Sequence, residues 1–428
     1  MEKKSRIYFC IDMKTFYASV ECAERGLNPF ETNLVVADVS RGKNALCLAI
    51  SPGLKAQGVR NRCRLSEIPP SIKYQIAPPR MALYIEYSAD IYDLYLDCFS
   101  PDDIHVYSID ESFIDVTDYL KLYRLTPVDM ARSLIDRIAE RKHIPATAGI
   151  GTNLYLAKIA LDITAKHNAE HIGYLDERLY LRHLWGHRPI TDFWQISFGT
   201  ANRLSKFGIY DMRGIANAPE ALLYKEFGVN AELLIDHAWG RESCTIADIK
   251  QYRSKTRSVS SSQILPRDYS FEEARLVITE MAQNGAMELV KRHLVAGKVS
   301  VLIGYSKACR PGASGSEKLR LATALGSVLV PTACAVFDGC AERDVPIRRL
   351  ALSFEQVADE GCAGYDLFTD FDAVEREKRR DRTVLELKNK YGKNAVLRGI
   401  DLTEAATQRE RNNMIGGHRA GYDATGKS

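Results

Sequence analysis

The sequence predicts a multidomain protein of mixed α/β and α+β class. Three observations point there: an apolar, β-prone run near the start that ends on a carboxylate, a second run nearly a hundred residues later that carries two more, and a compositional break near residue 250 after which helix and strand patterns begin afresh. At 428 residues with 46% hydrophobic content, the chain is long enough to bury several cores.

The elements follow in order. Ile7 to Ile11 reads as a buried strand that stops at Asp12, and a helix begins at Thr15. Residues 24–79 hold Gly26, Gly42, Gly53 and Gly58 and prolines at 29, 52, 69, 70, 78 and 79, so they form a short insertion without a long helix. A helix over 81–98, a hairpin over 104–117, a helix over 127–142, a strand over 146–150 and a helix over 153–166 then complete one α/β unit, made of residues 1–23 and 80–173. Residues 174–246 are helical in pattern, and 247–262, with the Ser-rich run Lys250 to Ser262, read as a linker. Beyond it, a helix over 271–293 and β-prone runs at 298–305, 318–324 and 347–354 predict a small α+β domain over 263–357. Residues 358–428 form a charged tail with a helical stretch at 371–391.

Three carboxylates at strand ends suit divalent-metal chemistry, because a strand end fixes the backbone while leaving the side chain open to substrate. Strict alternation would send Asp110 and Glu111 to opposite faces of a sheet. A hairpin turn at Asp110-Glu111 removes that conflict and lets both converge with Asp12. Taken singly, an Asp-Glu pair is more often a solvated turn, and Asp12 would more often cap the following helix.

The pairing of Asp12-Met13-Lys14-Thr15-Phe16-Tyr17-Ala18-Ser19-Val20-Glu21 with Ser108-Ile109-Asp110-Glu111-Ser112-Phe113-Ile114-Asp115 resembles the catalytic motifs of the Y-family DNA polymerases, through about residue 357. The branch it looks closest to is the UmuC type, in the version found in Gram-positive bacteria and mobile elements. The resemblance implies a polymerase right hand. The palm is 1–23 and 80–173, the small fingers 24–79, the helical thumb 174–246 and the little finger 263–357, with the C-terminal tail beyond.

What the resemblance implies for the site is specific. Asp12, Asp110 and Glu111 would be catalytic and, with the Met13 main-chain carbonyl, would hold two Mg²⁺ ions. The amides of Thr15, Phe16 and Tyr17, with Lys55 and Lys166, would hold the triphosphate of a deoxynucleoside triphosphate. Tyr17 would be the steric gate beneath the sugar. Ala49, Pro52 and Lys55 depart from the commoner pattern and imply a weaker or rebuilt grip, with Ser51 as a candidate donor. The implied function is translesion synthesis in damage-induced (SOS) mutagenesis, on primer-template DNA. Residues 192–204 resemble a helix-hairpin-helix with Ser197 in place of its first Gly, a motif that holds a DNA phosphate on backbone amides. Gly364-Tyr365-Asp366-Leu367-Phe368 resembles a sliding-clamp peptide in which Gly364 has replaced the anchoring Gln, so Leu367 and Phe368 would carry the contact. A UmuD-like protein and a recombinase filament are further partners the resemblance implies.

Composition sets the remaining bounds. Lys3, Lys4 and Arg6 precede an apolar run of only five residues, so neither a signal peptide nor a membrane span is expected, and a cytoplasmic location follows. Ten scattered cysteines, without a C-x-x-C pair, read as reduced thiols. The pairs His167/His171 and His183/His187 have helical i,i+4 spacing but lack the further ligands of a zinc site. Net charge is only +3, yet basic residues cluster. Arg41, Lys43, Lys55, Arg60, Arg62, Arg64 and Lys73 crowd the insertion, and Lys250, Arg253, Lys255 and Arg257 the linker. Arg267, Lys298, Lys307, Arg310, Lys318, Arg320, Arg348 and Arg349 stud the second domain and suit a phosphate backbone. Three rivals stand against the UmuC-type reading: a polymerase IV type, which Lys55 and the 369–428 extension disfavour, a catalytically silent DNA-binding or regulatory subunit, and a nucleotide cyclase on a similar palm.

Overall fold

The computed structural model describes residues 6–254, 256–306 and 310–421, and the chain divides into two compact units after Tyr252. In the first unit the apolar run forms β1 (Tyr8–Met13), whose buried side chains on both faces make it a central strand. It is followed by α1 (Phe16–Ala23) and then by the insertion. There β2 (Leu34–Ala37), β3 (Cys47–Ile50), α2 (Pro52–Ala56) and β4 (Gln75–Ala77) build a three-stranded sheet in the order β3-β2-β4 over a core of Val35, Ile50 and Leu54. The expectation that this segment builds no long helix holds: α2 has five residues.

The chain re-enters the first core through α3 (Met81–Leu96), then β5 (Ile104–Val106), β6 (Glu111–Asp115), α4 (Tyr119–Tyr123), α5 (Pro127–Lys142), β7 (Ala146–Gly151), α6 (Leu154–Ile159) and β8 (Ile172–Leu175). Sheet order is β5-β6-β1-β7-β8, so β1 runs antiparallel between β6 and β7. Thr126 caps α5 through Asp129 N–H, Pro127 opens it, and Arg141 and Lys142 end it, the arrangement that favours helix termini. α6 lies unusually close on β7. A Cβ on Gly149 would stand 2.1 Å from the Ala157 carbonyl oxygen, and one on Gly151 2.1 Å from the Ala157 nitrogen, so only glycine permits the approach.

The helix expected over 153–166 is not uniform. After α6 it widens to a π turn at Ala160–Thr164 and then tightens to 3₁₀ at Ala165–His167. Single π turns inside helices often mark functional sites, and this one bears on Lys166 below. Helices α7 (Glu177–His183), α8 (Phe198–Ser205), α9 (Met212–Ala216), α10 (Glu220–Phe227) and α11 (Asn230–Ala238) enclose Tyr180, Phe193, Leu204, Met212 and Leu223. The linker expectation at 247–262 is overdrawn at both ends. Thr245 and Asp248 form a capping box that starts α12 (Ile246–Gln251), and β9 (Val259–Tyr269) already includes Ser260 to Ser262. The serines are tolerated there because β9 is an edge strand whose residues 260–262 are exposed.

In the second unit, Ser270 and Glu273 cap α13 (Phe271–Lys291), which packs on a sheet ordered β11-β10-β12-β9 from β10 (Leu294–Tyr305), β11 (Ala313–Thr323) and β12 (Ile347–Glu355). A second helix, α14 (Gly326–Cys340), is not among the elements read from the sequence, and it holds Pro331 in its interior, where proline is ordinarily disfavoured. It forms because Leu329, Ala333, Val336 and Phe337 share one face and bury it on α13 and the sheet.

The residues read as a separate tail belong to this unit. β13 (Ala358–Asp359) pairs with β10, α15 (Phe371–Tyr391) lies along α13, and α16 (Gln408–Arg411) docks on it. The fully buried Glu280 of α13 fixes that dock by accepting bonds from Thr407 N (2.9 Å), Thr407 Oγ1 (3.2 Å) and Gln408 N (3.3 Å). Lys255 and Lys307 lie outside the described residues.

Candidate active site

Asp12 and Glu111 are directly opposite one another across β1 and β6, so both carboxylates leave the sheet on the same face. The turn between β5 and β6 lies at 107–110, one residue earlier than expected. Tyr107 N and Ser108 N donate to the Glu111 carbonyl, which makes Glu111 the first residue of β6. Asp110 sits in the turn, where its carbonyl accepts from Met13 N at 2.9 Å and its Oδ1 from Ser108 Oγ at 2.7 Å. Three carboxylates thus share one end of the central strands.

Their charges are felt mutually. Burial pushes the Asp12 carboxyl up to about 6, with Lys166 opposing and Asp110 and Glu111 adding to the rise. Glu111, 9% exposed, pairs with Lys158 Nζ at 2.7 Å and accepts from the Cys10 thiol at 3.2 Å. Lys158 also lies 3.1 Å from Asp162, which bonds Lys166 at 2.8 Å, and Lys166 reaches Asp12 at 3.8 Å. Burial works against both lysine charges, but their acidic neighbours outweigh it and raise each pKa. The π turn makes this ladder straight. Residues at i, i+4 and i+8 drift around an α-helix of 3.6 residues per turn, whereas one wider turn returns Lys166 to the side of Asp162 and Lys158.

Lys14 and Lys55 complete a cationic flank. The charge of each is disfavoured by partial burial; Lys166 adds repulsion to both and Asp12 attraction to both. Neither Lys14 nor Lys158 was found from the sequence. Lys158 had a readable signal, a charged residue inside the apolar run 154–163 with Asp162 and Lys166 at four-residue steps. Lys14 had none, because its contact, His171 Nδ1 at 2.9 Å, is far along the chain. Ser51 is not available as a phosphate donor: fully buried, it donates to the Thr32 carbonyl at 2.5 Å and accepts from Leu34 N and Leu54 N.

At the start of α1, Thr15 adopts φ 45°, a left-handed conformation costly for a β-branched residue. It turns the chain from β1 into α1, whose first-turn amides have no acceptor within the helix. The two aromatics differ in exposure. Phe16 is buried at 2% exposure, while Tyr17 is partly open and its hydroxyl pKa is raised by burial and by Asp110.

The donor set fits a hard divalent cation, since it is all oxygen. Two buried hydroxyls near Asp12, Thr147 Oγ1 on the strand opposite and Tyr95, lack hydrogen-bond partners. No group of three His, Cys, Asp or Glu side chains is gathered for a metal among the described residues, and Glu111 is paired with Lys158. His187 bonds Asp192, and the side chain of His167 lies outside the described residues.

Residues 11–162 match the model of the impB/mucB/samB family, and residues 256–367 match that family's C-terminal domain. The UV-damage repair protein UvrX of Bacillus subtilis (strain 168) is 31% identical over 96% of this chain and 97% of its own length. The chain belongs to this family, the Y-family DNA polymerases. A protein named DNA polymerase IV 2 from the same organism is 30% identical, covering 97% of this chain and 99% of itself. The Y-family DNA polymerase chimera Dbh-Dpo4(243-245)-Dbh superposes with a TM-score of 0.65 at 20% identity, over 82% of this chain and 99% of that one. The fold is therefore the Y-family right hand with a C-terminal little finger domain. The relatives also overturn one expectation: an extension beyond residue 368 does not separate this chain from polymerase IV-named proteins, because the match to one of them runs nearly end to end. No helix among the described residues is long and apolar enough to cross a membrane.

Proposed function

We propose that this Y-family polymerase carries out template-directed addition of deoxynucleotides to a primer, tolerates lesions, and acts in damage-induced (SOS) mutagenesis as a UmuC-type enzyme in the cytoplasm. The observation that carries the reading is the register pair Asp12 and Glu111 with Asp110 at the adjoining turn. Asp12, Asp110, Glu111 and the Met13 carbonyl would hold two Mg²⁺ ions. When bound, such ions activate the primer 3′-hydroxyl and neutralise charge on the triphosphate and leaving pyrophosphate.

The chain's own residues do the rest. The amides of Thr15, Phe16 and Tyr17 present a helix N-terminus to the triphosphate, and Lys55 and Lys166 supply its countercharge, with Lys14 as a third cation on that flank. Lys166 is held toward the site by Asp162. Tyr17 bars a 2′-hydroxyl. Small fingers without a long helix support a roomy site that checks the nascent pair weakly.

Duplex DNA would be gripped by the second unit and by backbone amides at α8, whose first turn Ser197 caps. The side chains of Leu367 and Phe368 are 100% and 87% exposed, which supports their reading as a sliding-clamp contact. A UmuD-like protein and a recombinase filament remain implied by the UmuC resemblance. Primer extension on undamaged and abasic templates tests the whole. The parent should extend past the lesion in Mg²⁺ and Asp110→Ala should extend neither template; a parent that stops at every lesion would remove the translesion assignment.

A further inference from the structure

Tyr17 lies in a latch with Glu21, Arg80 and Tyr84. On α1, Tyr17 and Glu21 are one turn apart and share a helix face; Arg80 immediately precedes α3 (Met81–Leu96), and Tyr84 lies in its first turn. The pairs engage side by side. The rings of Tyr17 and Tyr84 stack with centroids 4.6 Å apart and planes 18° apart. Arg80 grips Glu21 with two parallel bonds, Nε to Oε1 at 2.9 Å and Nη2 to Oε2 at 2.8 Å. The Tyr84 hydroxyl donates to Glu21 Oε1 at 2.7 Å, which joins stack and ion pair, and Arg25 adds a bond to the same carboxylate.

This is a costly arrangement to build for packing alone. Glu21 and Tyr84 are both fully buried, and a lone buried carboxylate is strongly disfavoured. Burial pushes the Glu21 carboxyl up, yet bonds from Arg80, Arg25 and Tyr84 outweigh it and hold its pKa below the ordinary value. An apolar pair would join two helices as well. The polar latch adds orientation: with its hydroxyl pinned, the ring of Tyr84 cannot turn or withdraw, and the ring of Tyr17 has a fixed wall behind it.

We infer that Tyr84, pinned by Glu21 and Arg80, is the positioning residue that makes Tyr17 a rigid barrier, so that sugar discrimination belongs to the Tyr17-Tyr84 stack and not to Tyr17 alone. The inference rests on Tyr17 being the sugar gate, as proposed above. A ring free to retreat would yield space to a 2′-hydroxyl without any change in the groups that bind triphosphate.

Single-nucleotide insertion measured with matched deoxy- and ribonucleotides tests it through the ratio of their kcat/KM values. Tyr84→Leu should raise ribonucleotide use relative to deoxynucleotide by about tenfold, the scale of one steric contact. Tyr84→Phe keeps the stack and should return the ratio to within about twofold of the parent. In a Tyr17→Ala background, Tyr84→Leu should add nothing further, because the two act through one barrier. Arg80→Gln, a partly exposed residue and a milder change, should raise the ratio in the same direction if Tyr84→Leu does not fold. If Tyr17→Ala raises the ratio while Tyr84→Leu and Arg80→Gln lower both efficiencies in proportion, the latch is merely structural and the inference is overturned. If Tyr17→Ala itself leaves the ratio unchanged, the gate assignment falls first and takes the latch with it.

Discussion

Lys158 Nζ stands 2.7 Å from Glu111 Oε1, and the two side chains are 8% and 9% exposed. A buried ion pair at the end of the central strands means that one of the three carboxylates is already balanced by a fixed cation of the protein. Lys158 is held from the other side by Asp162, so the charge ladder runs from the sheet to the flank where Lys166 faces Asp12. Removing one member of such a pair strands the other. Lys158→Ala should destabilise the fold by about 3–5 kcal/mol, read by urea denaturation, because Glu111 is left as an uncompensated buried charge. A loss below 1 kcal/mol would mean that water reaches Glu111.

Asp12→Ala and Asp110→Ala should each abolish nucleotide addition while leaving primer-template affinity nearly intact, since phosphate contacts elsewhere supply most of the binding. Single-turnover extension and fluorescence anisotropy separate the two effects. Full activity in either variant removes the two-metal assignment.

The Asp12 carboxyl, near 6 in the metal-free protein, lies above its value of about 3.9 in an unfolded chain. The folded form therefore binds the extra proton between those values, and metal-free stability should fall as pH rises through that window, by at most about 3 kcal/mol. Thermal melts in chelator should show Asp12→Asn gaining on the parent at pH 7 and losing that advantage at pH 4. Magnesium should erase the difference by favouring the ionised parent. A parent whose Tm is flat between pH 4 and 7 would contradict the raised value.

Several basic residues of the second unit are already engaged. Arg267 is paired with Glu273, Arg310 with Glu342, Arg320 with Asp366, Arg348 with Asp268 and Lys298 with Glu355. Lys318 and Arg349 have no ion pair among the described residues. Lys318→Glu with Arg349→Glu should weaken duplex binding and reduce the salt slope by about one per lost phosphate contact, whereas Arg267→Gln should change it little. Equal effects from both variants would mean that internal pairing does not select the DNA-contacting residues.

Leu367→Ala with Phe368→Ala should leave distributive synthesis on short primers intact and eliminate stimulation by a loaded clamp. Restoring Gln at position 364 should not help. A Cβ on Gly364 would stand 2.9 Å from Leu321 Cβ, and the Gly364 amide donates to the Ala322 carbonyl at 3.0 Å, so Gly364→Gln must push the segment off the sheet. Clamp-stimulated primer extension and Tm report the two effects, and a Gly364→Gln protein with parental Tm and stronger stimulation would show that the segment yields freely.

The strand that carries Asp12, the helix expected over 271–293 and the helix over 371–391 were legible in the sequence because each is decided by its own residues, although β1 runs one residue past Asp12 to Met13. That Asp12 and Glu111 come to one end of the sheet was legible for the same reason, since strand ends place side chains predictably. Other features depend on partners distant in the chain, and only the tertiary structure decided them. Lys158 is tolerated in a core because Glu111 of β6 pairs with it, and α14 is a helix despite Pro331 because α13 offers its apolar face a partner. Ser260 to Ser262 form a strand because β12 supplies hydrogen bonds at an open edge, and residues 399–411 are held to the second unit because Glu280 waits, buried, for Thr407. Local pattern fixes where an element can form; long-range burial and charge pairing select which of the permitted arrangements is stable.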